Sequence, residues 1–226
     1  AYAISSITRS IVTGEYRYYF KDFKVDTAIE KLEGHSIVCG FGRNGVQAVR
    51  TLKAHKKSVI VVEHNEEIVQ YIKQAHPDLL YVQGDATKED TLLNAGIKRA
   101  SALITTLPKD SDNVFVVLTS RELNRKLCII TRASEDSSEK KMRIAGANNV
   151  IMPDKVGGAH MASLVVTPDV IEFLDHISVV GEHEINLEEI EFKELPSDFH
   201  YKTIRELEEK YKTGARIIGF KTPEGK

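Results

Sequence analysis

Three glycines at fixed spacing carry the clearest chemical signal of the sequence. In such a segment the first glycine permits a tight turn, the second lets the backbone approach a pyrophosphate, and the third lets a helix pack closely on a strand. An apolar run precedes the segment and a helical pattern follows it, so the helix would present unpaired N–H groups to an anion. The sequence therefore predicts a nucleotide phosphate site formed by Gly40, Phe41, Gly42, Arg43, Asn44 and Gly45.

A carboxylate, Glu63, closes the next predicted strand. A carboxylate at this position accepts hydrogen bonds from both ribose hydroxyls of an adenosine and repels a 2'-phosphate. NAD(H) or an adenine nucleotide such as ADP or ATP therefore fits better than NADP. The alternative is a loop that has kept its glycines for packing alone.

A second polar segment, Gly84-Asp85-Ala86-Thr87, follows the third predicted strand. Ligands of open parallel sheets bind at the carboxyl ends of the strands, so Asp85 is expected on the adenine side of the ligand. The alternative is a simple turn into a helix that Thr87 caps, with Asp90 as its partner.

Two further side chains are predicted to face the same crevice. Thr105 ends the fourth predicted strand and Arg132 ends the fifth. Arg43 and Arg132 are the cations available to bind phosphate. The predicted site is thus completed by Gly84, Asp85, Ala86, Thr105 and Arg132.

Short runs rich in valine and isoleucine alternate with segments of helical period, a rhythm typical of a parallel sheet with crossover helices. Six strands and five helices complete a doubly wound, Rossmann-like α/β domain over residues 35–155. The predicted strands are Ser36–Cys39, Ser58–Val62, Leu80–Val82, Ser101–Thr105, Leu127–Thr131 and Val150–Met152, and the predicted helices are Gly45–His55, Glu66–Gln74, Lys88–Ala95, Ser111–Leu123 and Ser137–Ala145.

The bulk composition excludes several classes of protein. The 226 residues carry a formal net charge of -2, which leaves no broad basic surface for nucleic acid. No run reaches the roughly 18 apolar residues of a membrane span, so the chain as given is expected to be soluble. Cys39 and Cys128 lie in apolar runs, where buried, reduced thiols are expected.

No catalytic residues are predicted. Hydride transfer needs a second domain with an acid–base group beside the nicotinamide, and the segment after Gly181 offers none. Four histidines, His35, His55, His64 and His76, fall at the ends of elements, where solvated positions are usual. The protein is therefore expected not to be an enzyme.

An acidic segment follows the predicted sheet. Calcium binds through several carboxylate oxygens, but the spacing matches no known calcium loop, so a solvated acidic face is preferred and no metal is predicted. The weaker alternative is a metal site drawn from Glu172, Asp175, Glu188, Glu189 and Glu191.

The two ends of the chain differ from its middle. Residues 1–34 mix tyrosine and phenylalanine with arginine and lysine, which suits either a membrane boundary or an arm docked on its own domain or a partner. After a helical region at 156–181, residues 182–226 offer two strands and a charged helix around Thr203–Lys210, too little for an independent domain. Both ends are expected to be cut from something larger.

Several separated motifs together resemble the RCK domain, the regulator of potassium conductance found on potassium channels and transporters. The resemblance covers nearly the whole chain and rests on His35–Arg43, Gly84–Thr87, Leu107–Asp110 with Asp112-Asn113, Ala145–Asn148 and Pro153–Ala162. It implies that residues 1–34 are a linker from a pore helix and that residues 156–181 pair two subunits. It further implies a homo-oligomer, an octameric gating ring on a transmembrane potassium pore, at the cytoplasmic face of the membrane.

The family resemblance also bears on the ligand. Family members respond to NAD(H), to ADP or ATP, or to Ca²⁺, and matching residues carry the nucleotide site to Gly40, Gly42, Arg43, Glu63 and Asp85, together with Gly45. Arg43 would report bound phosphate across a subunit boundary. The C-terminal lobe of the family continues beyond the strands found here. Alternatives are a regulatory subunit or domain of a potassium transporter or antiporter, a Ca²⁺-gated domain, and an NAD-dependent oxidoreductase.

Overall fold

The computed structural model describes residues 25, 27–168, 203 and 206. The chain divides into two units, residues 1–171 and 172–226, and the first contains nearly all of the described residues. Strands and helices alternate along it in the order β1 Ser36–Cys39, α1 Arg43–Ala54, β2 Val59–Glu63, α2 Glu66–Ala75, β3 Leu80–Gln83, α3 Glu89–Asn94, β4 Ala102–Thr105, α4 Asp110–Leu123, β5 Cys128–Arg132, α5 Asp136–Ile144, β6 Asn149–Ile151 and α6 Pro153–Val166.

The six strands form one parallel sheet in the order β3-β2-β1-β4-β5-β6. Ile37 of β1 lies opposite Ile60 of β2 on one side and Leu103 of β4 on the other. The predicted Rossmann-like fold is therefore confirmed. The order reverses between β1 and β4, where open sheets of this kind bind ligands at the carboxyl ends of their strands. We call that side of the sheet the carboxyl edge and the opposite side the amino edge.

Burial explains why the central strands form. Every residue of β1 and β2 is buried, as expected of parallel strands covered by helices on both faces. Cys39 is part of this core, and burial raises the pKa of its thiol to about 12, so it is an inert, reduced thiol. The prediction for Cys128 is wrong, because this residue begins β5 at the amino edge and its side chain is exposed.

Helix starts differ in chemistry, and the predicted N-cap of α3 is wrong. Asn65 caps α2 by accepting hydrogen bonds from the N–H groups of Glu67 and Ile68, as expected of an asparagine N-cap. Helix α3 begins at Glu89, two residues after the predicted cap Thr87, and no side chain caps it. Thr87 instead donates both its N–H and its hydroxyl to Asp85, because this turn bends back before the helix starts.

The segment that leads into β1 is packed on the domain. Helical residues at 25 and 27–30 place Val25 and Ile29 in the main core. The Arg99 guanidinium donates hydrogen bonds to the carbonyls of Leu32 and Ile29, each at 3.2 Å. His35 is only 1% exposed, so the expectation that it is solvated is wrong.

Helix α6 exposes apolar side chains. No residue of this helix is buried, and Val165 is 83% exposed. The helix starts at Pro153, which suits a first helical position, and continues through Gly157 and Gly158 across the predicted domain boundary. Within the part of the chain that the structure describes, no helix is both long and apolar enough to cross a membrane.

Only two residues of the second unit are described. Thr203 and Glu206 exchange hydrogen bonds as a capping box, since the Glu206 carboxylate accepts from the Thr203 N–H and the Thr203 hydroxyl accepts from the Glu206 N–H. This agrees with a helix starting near Thr203. Three sets of predicted features lie outside the described residues: most of residues 1–34, the strands predicted after Gly181, and the acidic metal candidates Glu172, Asp175, Glu188, Glu189 and Glu191.

Candidate functional site

The glycine loop joins β1 to α1 with a different geometry at each glycine. Gly40 has φ +91°, a conformation that favours glycine. A Cβ on Gly45 would lie 2.0 Å from the Gly40 carbonyl oxygen, so only glycine lets the helix pack this closely on the loop. A Cβ on Gly42 would meet no atom within 4 Å. The backbone at Gly42 is therefore open to a ligand.

The N-terminus of α1 is the best anion site among the described helices. Its N-cap is Gly42, no side chain caps it, and its first turn has no acidic residue. Every other described helix has at least one aspartate or glutamate in its first turn. The exposed cation Arg43 begins α1. Free N–H groups, the helix dipole and this cation all favour a bound phosphate.

Glu63 ends β2 with its carboxylate 5% exposed and largely used by the backbone. Its Oε2 accepts the Phe41 N–H at 2.8 Å, and its Oε1 accepts the N–H groups of His64 and Asn65 at 2.8 and 2.9 Å. A carboxylate oxygen has two acceptor positions, so one remains on Oε2. Glu63 thus fixes the glycine loop against β2 and can still receive one ribose hydroxyl.

Asp85 lies across the carboxyl edge from the glycine loop, in the turn after β3. Its Oδ1 accepts the Thr87 hydroxyl at 2.7 Å and the Thr87 N–H at 2.9 Å. The Thr87 hydroxyl, more than any other cause, holds the pKa of this carboxyl below its ordinary value. Its Oδ2 accepts no hydrogen bond from any residue that the structure describes. An ionised acceptor is therefore held ready for a donor such as an exocyclic amino group.

A cavity of about 280 Å³ lies between the glycine loop and this turn. Of the predicted site residues, Gly40, Glu63, Gly84, Asp85 and Ala86 line it. Its lining also includes residues that the sequence-based prediction of the site missed, namely Val62, His64, Thr87, Leu107, Pro108, Lys109 and Asp112. Most of these follow β2 or β4, and the rule that ligands bind beyond the carboxyl ends of strands could have identified them.

The charges around the cavity indicate which part of a nucleotide it would hold. Glu63, Asp85 and Asp112 are acidic, whereas Lys109 is the one lysine or arginine in its described lining. Carboxylates disfavour phosphate and accept hydrogen bonds from hydroxyl and amino groups. The cavity therefore suits a nucleoside, with its phosphates directed toward the N-terminus of α1.

Thr105 lies buried beneath the cavity, and the prediction that its side chain faces the crevice is wrong. It is fully buried, and its hydroxyl donates to Asn113 Oδ1 at 2.6 Å. Asn113 also accepts the Leu107 N–H and donates to the carbonyls of Leu107 and Arg132. Together these bonds hold the loop after β4, which lines the cavity, in place.

Arg132 ends β5 but does not line the cavity. Its guanidinium contacts the Ser134 hydroxyl at 3.2 Å, and its buried Nε has no hydrogen-bond partner in the described part of the chain. Nearby, the Asp110 carboxylate accepts the N–H groups of Ser134 and Glu135. Burial opposes ionisation of Asp110, but these bonds outweigh it and lower the pKa of the carboxyl. The loop after β5 is thereby ordered beside Arg132.

The remaining residues of the predicted site belong to the glycine loop without lining the cavity. Phe41 is 5% exposed, and its ring meets that of His76 edge-on with the centroids 5.9 Å apart. Asn44 is half-buried in the first turn of α1. The site as described is thus a helix end suited to phosphate beside a cavity suited to a nucleoside. The described residues contain no group of three or more side chains that could hold a metal ion.

A larger concavity of about 600 Å³ opens at the edge strand β3. It contains the Lys73 ammonium group, 5.3 Å from the centre of the Tyr81 ring, together with Arg99 and Glu30. This concavity lies away from the switch point between β1 and β4, and none of the helices α1 to α6 lines it with its N-terminus. The smaller cavity is therefore the better candidate for a nucleotide.

Comparison with known families agrees with this geometry. Residues 36–153, which include every described strand, match the TrkA-N domain family. The chain is 36% identical over 225 residues to "Probable potassium channel protein 2" of Methanocaldococcus jannaschii, with 97% of this chain covered. It is 31% identical over 223 residues to "Potassium channel protein 1" of the same organism, with 98% covered. It spans 65% and 66% of the lengths of these two relatives.

Solved structures show the same fold. The crystal structure of the GsuK RCK domain has a TM-score of 0.53 and 31% identity, over 63% of this chain and 30% of that chain. The structure described as "GsuK channel bound to NAD" has a TM-score of 0.50 and 26% identity, over 54% of this chain and 22% of that chain. These similarities connect the fold to channel domains, one of them with a bound dinucleotide.

Proposed function

Because this chain belongs to the TrkA-N domain family, we propose that it is the nucleotide-sensing gating domain of a potassium channel. The observation that carries the proposal is the N-terminus of α1, which has neither a side-chain cap nor an acidic first turn and lies beside a cavity lined by carboxylates. The similarity to a potassium channel protein over 97% of the chain supports the proposal that the domain belongs to a channel. The structure described as GsuK bound to NAD supports the proposal that its ligand is an adenine nucleotide.

The ligand is an adenine nucleotide, with NAD(H) or ADP and ATP as the candidates. Its phosphates bind the N–H groups that follow Gly42 and the side chain of Arg43. A ribose hydroxyl donates to the free position on Glu63 Oε2, and the same carboxylate repels a 2'-phosphate. The adenine amino group donates to Asp85 Oδ2, which is ionised and unengaged within the described chain.

The domain senses the nucleotide and does not convert it. Hydride transfer would need a substrate-binding surface with an acid–base group at the nicotinamide. The relatives that align with nearly the whole chain are potassium channel proteins. Gating requires only that the nucleotide bind open and closed assemblies unequally, and about 1.4 kcal/mol of difference changes the equilibrium tenfold per site.

Coupling to a pore requires an oligomer, and α6 offers the surface for pairing two subunits. Val156, Met161, Val165 and Val166 are each at least 60% exposed on this helix. Apolar side chains on one element at this level of exposure are typical of a subunit interface. We propose a dimer through α6 and an octameric ring of such domains, with Arg43 reporting bound phosphate to a neighbouring subunit.

The arm, residues 1–34, is proposed to be the linker from the last pore helix. The alignments with channel proteins cover 97% and 98% of the chain, so they include most of the arm. This coverage favours a channel over a regulatory subunit of a transporter. The domain then lies at the cytoplasmic face of the membrane.

A thermal-shift screen tests the proposal with the purified chain and NAD, NADH, ADP, ATP or Ca²⁺. A ligand at 100 times its Kd stabilises the native state by about 2.7 kcal/mol. For a chain of this size the Tm then rises by roughly 5–10 °C. Arg43→Gln should lose most of the rise, whereas Arg50→Gln, a matched control two turns along α1, should keep it. No shift with any nucleotide at millimolar concentration, or a shift with Ca²⁺ alone, would contradict the proposal.

A further inference from the structure

Positive charge collects at the amino edge of the sheet. The first turns of α2 to α5 at the carboxyl edge carry Glu66, Glu67, Glu89, Asp90, Asp110, Asp112, Asp136 and Glu139. The loops that return from helices to strands at the amino edge carry Lys56, Lys57, Lys98, Arg99, Arg125 and Lys126, against the single carboxylate of Asp78. We call these six cations the basic edge. The domain is therefore electrically polar along its strands, although its net charge is small.

The basic edge faces solvent. All six of its cations are exposed, and none forms an ion pair with a residue that the structure describes. Lys56 has φ +57°, a left-handed conformation in which glycine would be free of strain. Cations near a helix C-terminus interact favourably with the helix dipole, but these residues lie in loops beyond the last helical turns. Dipole compensation alone does not account for them.

The basic edge surrounds the point where the arm enters the domain. Its three loops precede β2, β4 and β5, and these strands flank β1 on both sides. Neighbouring strands are about 4.8 Å apart, so the cations span roughly 14 Å along the edge. The Gly34 N–H donates to the Arg99 carbonyl at 2.8 Å, and the Ser101 hydroxyl donates to the Gly34 carbonyl at 2.7 Å. The entry point is therefore fixed among the cations.

We propose that the basic edge binds anionic phospholipid headgroups at the membrane surface. This inference rests on the proposed function, which places the chain beside a membrane and makes the arm its connection to the pore. The edge that receives the arm then faces the bilayer, and in the sequence the arm itself mixes Tyr16, Tyr18, Tyr19 and Phe20 with Arg17 and Lys21. Anionic lipid is the partner whose charge complements a row of cations that have no ion-pair partner among the described residues.

Each lysine near an anionic surface contributes about 1 kcal/mol, or roughly fivefold in the partition coefficient. Lys56→Gln/Lys57→Gln should therefore weaken binding about 25-fold. The matched control Lys88→Gln/Lys140→Gln removes the same charge from exposed positions outside the basic edge and should change binding less than twofold. Because the attraction is electrostatic, salt at about 0.5 M should abolish most of it.

The experiment is co-sedimentation of the full chain with vesicles of phosphatidylcholine, with or without about 30% phosphatidylglycerol. Binding only to anionic vesicles, and its selective loss in Lys56→Gln/Lys57→Gln, is the expected result. Equal loss in both double variants, equal binding to neutral vesicles, or tighter binding to duplex DNA than to vesicles would overturn the inference. The nucleotide-induced rise in Tm, measured on the same proteins, reports separately on the proposed function.

Discussion

Two glycines of the same loop should respond in opposite ways to the same added methyl group. Gly42→Ala places a Cβ where no atom lies within 4 Å, at φ -76°, which any residue adopts. Gly45→Ala places a Cβ 2.0 Å from the Gly40 carbonyl oxygen and 2.9 Å from its carbon. Real Cβ contacts are essentially never shorter than 3.0 Å, so loop and helix must separate by about 1 Å.

The magnitudes follow from these distances. A clash with backbone atoms lies in the upper part of the range for overpacking, about 2–3 kcal/mol, and the better helix propensity of alanine offsets about 1 kcal/mol. The net loss of about 1–2 kcal/mol in Gly45→Ala should therefore lower the Tm by roughly 2–8 °C. For Gly42→Ala the loss of a glycine N-cap and the reduced freedom of the unfolded chain nearly cancel, so the Tm should change by less than about 3 °C.

Nucleotide binding separates the two glycines in the other direction. The methyl group of Gly42→Ala occupies the space through which a pyrophosphate would approach the backbone, so affinity should fall at least about tenfold although stability is kept. Calorimetric titration with NAD, together with thermal melts of both variants, measures the two quantities. If Gly42→Ala binds NAD as tightly as the wild type, or if Gly45→Ala melts at the wild-type temperature, the two glycines do not have these separate roles.

Three further predictions concern single side chains. Asp85→Asn keeps an acceptor for Thr87 but turns an amide donor toward the adenine amino group, so affinity should fall about 10- to 100-fold by calorimetry. The control Asp90→Asn, at an exposed position of α3, should bind the nucleotide normally. Thr105→Val should lower the free energy of unfolding in urea by about 1–2 kcal/mol, because a buried hydrogen bond beneath the cavity is lost, while the nucleotide affinity should not change. Weaker nucleotide binding at unchanged stability would contradict this prediction. Burial lowers the pKa of His35 below 6.5, so the unfolded chain takes up the proton first as the pH falls. The free energy of unfolding should therefore be highest above pH 6.5 and decline below it, with a smaller decline in His35→Gln. Equal pH profiles of the two proteins would contradict this role of His35.

Much of the fold follows from the sequence because parallel strands leave a strong apolar pattern. The predicted and observed limits of β1 coincide. Strands β2, β3 and β5 each extend one residue further, to Glu63, Gln83 and Arg132, because ladder hydrogen bonds continue past the last apolar residue. The glycine loop and the acid at the end of β2 follow from the sequence because their spacing is fixed by the strand–turn–helix unit to which they belong.

The errors share a physical cause, since each depends on tertiary surroundings that the local apolar pattern does not specify. No residue near His35 in the sequence indicates that the Ala95 carbonyl, 60 residues later, accepts a hydrogen bond from the Nε2 of His35. Thr105 ends a strand as predicted, but its hydroxyl donates a hydrogen bond to Asn113 and is not free for a ligand. Cys128 lies in an apolar run yet begins its strand at an exposed edge. Local pattern specifies elements, whereas tertiary contacts decide which polar side chains remain free for a ligand.

A crystal structure of the chain with NAD would show directly whether a nucleotide binds at the N-terminus of α1. We expect the diphosphate within hydrogen-bonding distance of the backbone N–H groups after Gly42, with the adenine amino group on Asp85. A nucleotide in the concavity beside β3, with Gly42 and Asp85 making no contact to it, would show that the proposed site is wrong.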